Sequence, residues 1–216
     1  MSGKNVFWQA LIFTIVIFGL GLMSGFFLEN YRTSEVFYGL IDSELDILDD
    51  QIRERVVEEF DVDCDLAKKS SFDFADKIYG DALKLDAYNS ASKFTDSLKI
   101  LHKRYDLLRV LLWTESIDLK EKCGNDFNII VYLYNYKTTN LDIKSKQMFY
   151  SRLLFDLKTA HPDDLMLIPL AVDTDLGSVN LIIENYKISE FPSIIINEDT
   201  ILTDILTYDE LENIVF

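Results

Sequence analysis

An uncharged, apolar segment near the amino terminus constrains this chain more than any other feature. Residues 6–28, VFWQALIFTIVIFGLGLMSGFFL, are 23 consecutive positions without a charged side chain. A helix of this length spans roughly 34 Å at about 1.5 Å per residue, whereas the hydrocarbon core of a bilayer is about 30 Å thick. The sequence therefore predicts one transmembrane helix within an anchoring region, residues 1–29, that precedes a folded region outside the bilayer.

The charges beside this segment favour an orientation with the amino terminus in the cytoplasm. Lys4 and the terminal amine precede the segment, whereas Arg32 follows it among acidic residues. Because basic residues are retained on the cytoplasmic side, we expect the rest of the chain to lie outside the cell. A cleaved signal peptide is the alternative, although its apolar region would be unusually long.

Two glycines of the segment, Gly21 and Gly25, have the GxxxG spacing that lets membrane helices approach closely. This spacing is compatible with a homodimer formed through the anchor. The competing interpretation is that Gly is simply common in membrane helices.

The remainder of the chain is strongly acidic. The formal net charge is −16, and all 37 Asp and Glu residues follow residue 28. Nucleic-acid binding requires clusters of Lys and Arg, so this composition argues against it. The many Leu, Ile, Tyr and Phe residues, with only three Pro, predict a folded region rather than a disordered one.

Three amphipathic helical patterns occupy residues 30–123. The first ends at the acidic segment 61–65, and the second runs from about residue 71 to a turn at Asn89 and Ser90. The third runs from Thr95, as an N-cap, to the glycine at position 124. Short turns between helices of similar length predict an antiparallel three-helix stalk.

The only two cysteines, Cys64 and Cys123, are expected to meet at one end of this stalk. Cys64 follows the first predicted helix and Cys123 ends the third, so an up-down-up arrangement brings them together. A disulfide is the leading interpretation, and it suits an oxidising compartment. A redox-active pair is the alternative, whereas His102 and His161 lie at no recognised zinc-site spacing from either cysteine.

The hydrophobic pattern changes over residues 124–216, where strands alternate with helices. Residues 127–134, FNIIVYLY, have the continuous apolar character of a strand buried on both faces. Further strands are predicted at residues 165–172, 191–196 and 201–206, with helices between them and at residues 208–215. The predicted order is βαβαββα, and Pro169 places the second strand near a sheet edge or bulge.

Residues 172–199, VDTDLGSVNLIIENYKISEFPSIIINED, carry the resemblance to a known family. An acidic strand end, a helix, and a Pro before an apolar strand resemble this part of membrane-anchored thioredoxin-like proteins. The resemblance implies a C-terminal thioredoxin-like domain, an α/β fold following an α-helical stalk. It also implies that Pro192, preceded by Phe191, has a cis peptide bond.

The chain departs from this family where thiol chemistry would occur. A CxxC motif would follow the first strand, but residues 138–141 read TTNL and contain no sulfur. Dithiol exchange at this position is therefore excluded. The resemblance still implies a surface that binds extended peptides; its residues are Tyr136, Lys137, Thr138, Thr139, Phe191 and Pro192.

Nearby basic residues suggest an acidic or extended polypeptide as the partner. Lys137, Lys144 and Lys146 form one of the few basic stretches in the chain. The competing interpretation is that all of these are ordinary loop and surface residues around a core Phe.

The sequence as a whole favours a binding or scaffolding protein of the cell membrane rather than an enzyme. It contains no P-loop, GxGxxG, GxSxG or HExxH motif, and we expect no metal or cofactor. A thiol-disulfide oxidoreductase that uses Cys64 and Cys123 is one alternative. A spacer without a ligand surface is the other.

Overall fold

The amino-terminal apolar segment belongs to one long helix. The structure, a computed structural model, describes residues 3–91, 95–124 and 126–216. Helix α1 spans Gly3–Glu59, so the predicted anchor and the first predicted stalk helix are continuous rather than separate. No Pro interrupts the helical hydrogen bonding where the sequence changes from apolar to charged. Within α1, Phe7–Leu28 is long and apolar enough to cross a membrane, with a mean hydropathy of 2.4.

Helices α2, Cys64–Ala91, and α3, Thr95–Cys123, form an antiparallel pair. Helix α2 begins earlier than predicted and continues through Asn89 and Ser90, so the turn predicted there is wrong. Asn and Ser reduce helix stability by only a few tenths of a kcal/mol to about 0.7 kcal/mol each, which does not interrupt the hydrogen bonding. The connection to α3 falls at residues 92–94, outside the described residues.

The chain divides into two compact units, Met1–Arg53 and Glu54–Phe216. The second unit contains α2, α3 and the β-sheet together. The three-helix stack that would include α1, and the division into residues 1–29, 30–123 and 124–216, stay predictions.

The second unit is a mixed α/β structure built on a four-stranded sheet. Its strands are β1, Asn128–Tyr134, β2, Leu165–Ala171, β3, Ser193–Ile196, and β4, Thr200–Leu202. The strand order is β2-β1-β3-β4, with β1 parallel to β2 and antiparallel to β3. Strand β2 is an edge strand, which accommodates Pro169 as predicted.

Three helices complete the order βαβαββα, as predicted. They are α4, Leu141–Ala160, α5, Gly177–Tyr186, and α6, Tyr208–Val215. Helix α4 begins after Asn140, whose side chain accepts hydrogen bonds from two backbone N–H groups, and ends at His161. A capping box of Thr207 and Glu210 begins α6.

Strand β1 is buried on both faces because helices cover both sides of the sheet. On one face, Ile130 and Tyr132 pack in a cluster with residues of α4 and α6. Alternate residues of β1 point to the opposite face, the side on which α2 and α3 contact the sheet. Burial on both faces explains why the sequence of β1 is continuously apolar.

The last two strands are shorter than predicted. Strand β3 begins at Ser193, after a cis peptide bond between Phe191 and Pro192. Strand β4 ends at Leu202, because the next carbonyl groups bind side chains instead of a neighbouring strand. The carbonyls of Thr203 and Asp204 accept hydrogen bonds from Lys146 and Tyr150 of α4.

Candidate functional site

Cys64 and Cys123 lie at disulfide distance. Their sulfur atoms are 1.94 Å apart and their Cα atoms are 5.6 Å apart. The pairing joins the first residue of α2 to the last residue of α3, so the two cysteines meet where the helix lengths predicted. This pair lies on the side of Asn128, where β1 begins, whereas the predicted peptide-binding residues follow Tyr134, where β1 ends.

A single carboxylate holds the loop that follows β1. The backbone N–H groups of Tyr136 and Lys137 donate hydrogen bonds to the two carboxylate oxygens of Asp173, at 2.6 and 2.8 Å. Asp173 follows β2, whose parallel pairing with β1 brings the two strand ends together. Asp173 therefore joins the end of β2 to the loop after β1.

Thr138 and Thr139, for which the family resemblance predicts the CxxC position, lie before helix α4. Thr138 Oγ1 accepts a hydrogen bond from the N–H of Asn140 at 3.2 Å, and Asn140 in turn caps the helix. Thr138 and Thr139 therefore shape the loop rather than the first helical turn. Their hydroxyl groups have no sulfur-like acidity, so the site offers hydrogen bonds and not thiol chemistry.

An open groove of about 850 Å³ lies along this loop and the outer face of α4. Tyr136, Lys137, Thr138 and Thr139 all contribute to it, as do residues of α2 and α4. The lining consists of Tyr79, Tyr134, Asn135, Tyr136, Lys137, Thr138, Thr139, Lys144, Gln147, Met148, Ser151, Arg152 and Phe155.

The groove combines positive charge with exposed apolar surface. Among the described residues that line it, three are cationic, Lys137, Lys144 and Arg152, and none is acidic. Met148 is 61% exposed and Phe155 53% exposed, although both are large apolar side chains. Exposed apolar surface bordered by polar groups is typical of interaction sites.

Three of the residues predicted for the site do not line the groove. Pro192 is buried and Phe191 is half-buried beside β3, and neither belongs to the lining. Lys146 also lies outside it, because its ammonium group donates to the carbonyl of Thr203. The structure thus brings together four of the six predicted peptide-binding residues, and its cations are Lys137, Lys144 and Arg152 rather than three lysines.

Buried polar residues of α3 support the loop at Tyr136. The rings of His102 and Tyr136 are in contact, with centroids 3.7 Å apart. One turn further along α3, the fully buried carboxylate of Asp106 accepts hydrogen bonds from Arg109 and from the N–H of Ala171, both at 3.3 Å. Burial raises the pKa of Asp106, although the Arg109 guanidinium beside it acts in the opposite direction.

Comparison with protein-family models, with curated proteins and with solved structures finds no match for this chain. The geometry and chemistry of the groove are therefore what indicates a function for this chain.

Apart from Lys144, the groove residues that come from α2 and α4 were not predicted from the sequence. Tyr79 belongs to α2, and Met148, Arg152 and Phe155 belong to α4. The available signal was the set Leu141, Met148 and Phe155, which recurs every seven residues on α4 and is exposed. Seven residues are nearly two helical turns, so these apolar side chains share one outward face.

Proposed function

We propose that this chain is a single-pass membrane protein whose second unit binds an extended, acidic polypeptide segment in the groove. The observation that carries this proposal is a groove whose described lining has three cationic side chains, four aromatic rings and no carboxylate, in a chain of net charge −16.

Charge complementarity favours an acidic ligand. Arg152 can hold a carboxylate through two parallel hydrogen bonds, and Lys137 and Lys144 add positive charge nearby. An acidic segment would otherwise be repelled by this acidic protein, so the groove is a local site of attraction. We therefore expect binding to weaken as salt concentration rises.

Aromatic side chains favour an extended polypeptide over a small anion. The groove is long enough to border the β1–α4 loop, α4 and Tyr79 of α2, and its volume far exceeds that of one carboxylate. Tyr79, Tyr134, Tyr136 and Phe155 present rings that can pack against backbone and side chains.

The observed element order supports a thioredoxin-like ancestry for this site. The order βαβαββα and the position of Pro192 directly before β3 agree with the resemblance seen in the sequence. The absence of sulfur beside Thr138 and Thr139 supports a binding role in place of exchange chemistry.

The amino-terminal helix supports attachment to the cell membrane. Its segment Phe7–Leu28 meets the length and apolarity that a span requires, and no part of that segment is buried against the protein. Under this proposal the amino terminus lies in the cytoplasm and the groove lies outside. A Cβ atom placed on Gly21 or Gly25 would meet no described atom outside the surrounding helix backbone within 4 Å, which leaves this face of the anchor open to pairing with a second copy.

Fluorescence anisotropy with the full chain in nanodiscs of zwitterionic lipid tests the groove. The ligand is a dye-labelled peptide rich in Asp and Glu, measured across a range of salt concentrations. We expect Lys144→Glu and Arg152→Glu each to weaken binding about tenfold, because each replaces an attractive charge with a repulsive one.

Lys69→Glu is the matched control, since Lys69 is exposed on α2 outside the groove. This variant changes the net charge equally and should bind nearly as well as the native chain. Equal losses from all three variants, or binding that ignores salt, would contradict a specific groove site.

The exposure of Cys64 is compatible with a second candidate function, that of a thiol-disulfide oxidoreductase. Cys64 is an exposed residue, and exchange of a disulfide requires that an external thiolate reach one of its sulfur atoms. Mass spectrometry with and without reductant, together with a measured reduction potential, separates the two functions. A potential below about −300 mV with no disulfide-reductase activity marks a structural bond, whereas a readily exchanged bond favours an oxidoreductase.

A further inference from the structure

A small apolar cavity adjoins the groove beside the edge strand β2. Its volume is about 150 Å³, and it lies where α2, α3 and α4 approach β2. Two residues, Tyr79 and Phe155, line both the groove and the cavity. The rest of the lining is mostly apolar and comes from α2, α3, α4 and β2; its charged residues are Asp76, Arg109 and Lys158.

We propose that this cavity receives one apolar side chain, of the size of Phe or Leu, from the acidic segment bound in the groove. The inference rests on the proposed function, and it specifies which polypeptides the groove selects. A dry apolar cavity of about 150 Å³ can hold a benzene ring, so a Phe ring matches the available volume.

Two of the three charged residues that line the cavity, Arg109 and Lys158, are already engaged by the protein, and the third, Asp76, is exposed. The Arg109 guanidinium pairs with Asp106 at 3.3 Å. The Lys158 ammonium donates to the carbonyl oxygens of Pro162 and Leu165 at 2.6 and 2.9 Å. The cavity therefore offers mainly carbon surface from Ile, Leu, Met and Phe side chains, and an apolar group is the occupant that this surface favours.

Spacing on α4 relates the apolar side chain to the acidic ones. Phe155, at the boundary between groove and cavity, lies three residues after Arg152, so the two side chains are neighbours on one helix face. A ligand that inserts an apolar side chain past Phe155 then places its adjacent residues near Arg152. The partner is thus a polypeptide in which acidic residues directly flank one Phe or Leu.

A pair of peptides tests this selectivity with the full chain in zwitterionic nanodiscs. One peptide contains Asp and Glu around a central Phe, and the other has Ala in place of Phe. Anisotropy titrations should show the Phe peptide binding roughly tenfold to a hundredfold more tightly, as burial of an aromatic side chain predicts.

A variant that fills the cavity provides the second arm. Ala75→Leu adds carbon atoms inside the cavity while keeping a strong helix former in α2. We expect this variant to remove the preference for Phe and to bind the Ala peptide as the native chain does. Ala160→Leu is the matched control, because Ala160 is exposed at the end of α4 outside the cavity, and it should keep the preference.

The outcomes separate this inference from the proposed function. Equal, salt-sensitive binding of both peptides would overturn the cavity inference and leave the acidic-groove proposal standing. Failure of both peptides to bind would overturn both. Failure of both peptides combined with self-association that Lys144→Glu abolishes would assign the groove to a second copy of the chain and also overturn the inference.

Discussion

The residues around the two ends of strand β1 differ in how many contacts their side chains make within the protein. Before Asn128, a disulfide joins Cys64 to Cys123, and the Lys68 ammonium approaches carboxylates of Asp126 and Asp164 at 3.4 and 3.8 Å. After Tyr134, the groove leaves the Phe155 ring and the cationic side chains of Lys137, Lys144 and Arg152 exposed to solvent.

The turn between β3 and β4 forms hydrogen bonds with the end of β1 that lies near the disulfide. The side-chain oxygen of Asn197 accepts hydrogen bonds from Ile129 N–H and from Lys120, at 2.9 and 2.7 Å, and its amide donates to Asn128 at 2.8 Å. The next residue of the turn, Glu198, accepts a hydrogen bond from Trp113 at 3.0 Å. Helix α3 is thereby fixed to the sheet by polar contacts.

The disulfide end of β1 should therefore contribute mainly to the stability of the fold, and the groove end mainly to ligand binding. Polar groups that hydrogen-bond to one another within the protein stabilise the fold, but they have few donors or acceptors available for a ligand. Exposed rings and unopposed cations contribute little to folding and can contribute strongly to association. We therefore expect substitutions at the disulfide end to change unfolding and substitutions at the groove end to change binding.

Removal of the disulfide should have the largest effect on stability. The bond closes a loop with a sequence separation of 59 residues, for which the chain-entropy model gives about 4 kcal/mol. Urea unfolding of a Cys64→Ser/Cys123→Ser variant should show a loss of about this size. Peptide binding by the folded variant should not change. A parallel loss of binding affinity would contradict the separate roles of the two ends of β1 in stability and in binding.

Asn197→Ala, at the same end of β1, should lower the free energy of unfolding by about 3 kcal/mol. It leaves the buried Ile129 N–H without its acceptor and places Ala at a positive φ. Asn197→Asp is the control, since it keeps the oxygen that Ile129 and Lys120 require. A chemical denaturation series should rank native, Asp and Ala in decreasing order. Equal stabilities for the Asp and Ala variants would show that the hydrogen bonds do not matter.

Asp173→Ala should affect both properties, because it releases the loop that borders the groove. Loss of the two hydrogen bonds to Tyr136 and Lys137 should lower the free energy of unfolding by about 1 kcal/mol at this exposed position. Peptide affinity should fall as well, since the loop is no longer held in place. Asp173→Asn, which keeps one acceptor oxygen, should fall between, and an affinity unchanged in both variants would contradict a positioning role.

Glu198 should make stability depend on pH. Burial raises the pKa of Glu198 above its ordinary value of 4.5, and the Trp113 hydrogen bond opposes this only in part. The folded state then holds the proton more tightly than the unfolded chain, so this residue lowers stability as pH rises from 4.5 through the raised pKa. Unfolding of Glu198→Gln should show a smaller decline over this range; an identical decline would exclude Glu198 as its source.

The smallest effect on stability is expected at the groove. Lys144→Glu and Arg152→Glu should change the free energy of unfolding by less than about 0.5 kcal/mol, because both side chains are exposed. The same variants should weaken peptide binding about tenfold. Thermal unfolding beside the anisotropy titrations provides the comparison, and destabilisation by 2 kcal/mol or more would place these residues in the folding framework.

The sequence predicted the elements of the fold more fully than the site. The buried strand β1, the edge position of Pro169 and the meeting of Cys64 with Cys123 follow from local patterns and helix lengths. The length of β4 did not, since its end is set by hydrogen bonds that Lys146 and Tyr150 make to distant carbonyls. For the same reason the sequence did not predict that Lys146, unlike Lys137 and Lys144, would lie outside the groove.

The amino-terminal apolar segment, the acidic charge and the absence of a CxxC motif are properties of the sequence alone, because each depends only on which residues are present and in what order. The groove depends on tertiary structure, because Tyr79, Tyr136 and Phe155 come from separate elements that meet only when α2 and α4 pack beside the sheet. Local periodicity shows that a side chain is exposed, and packing determines which exposed side chains become neighbours.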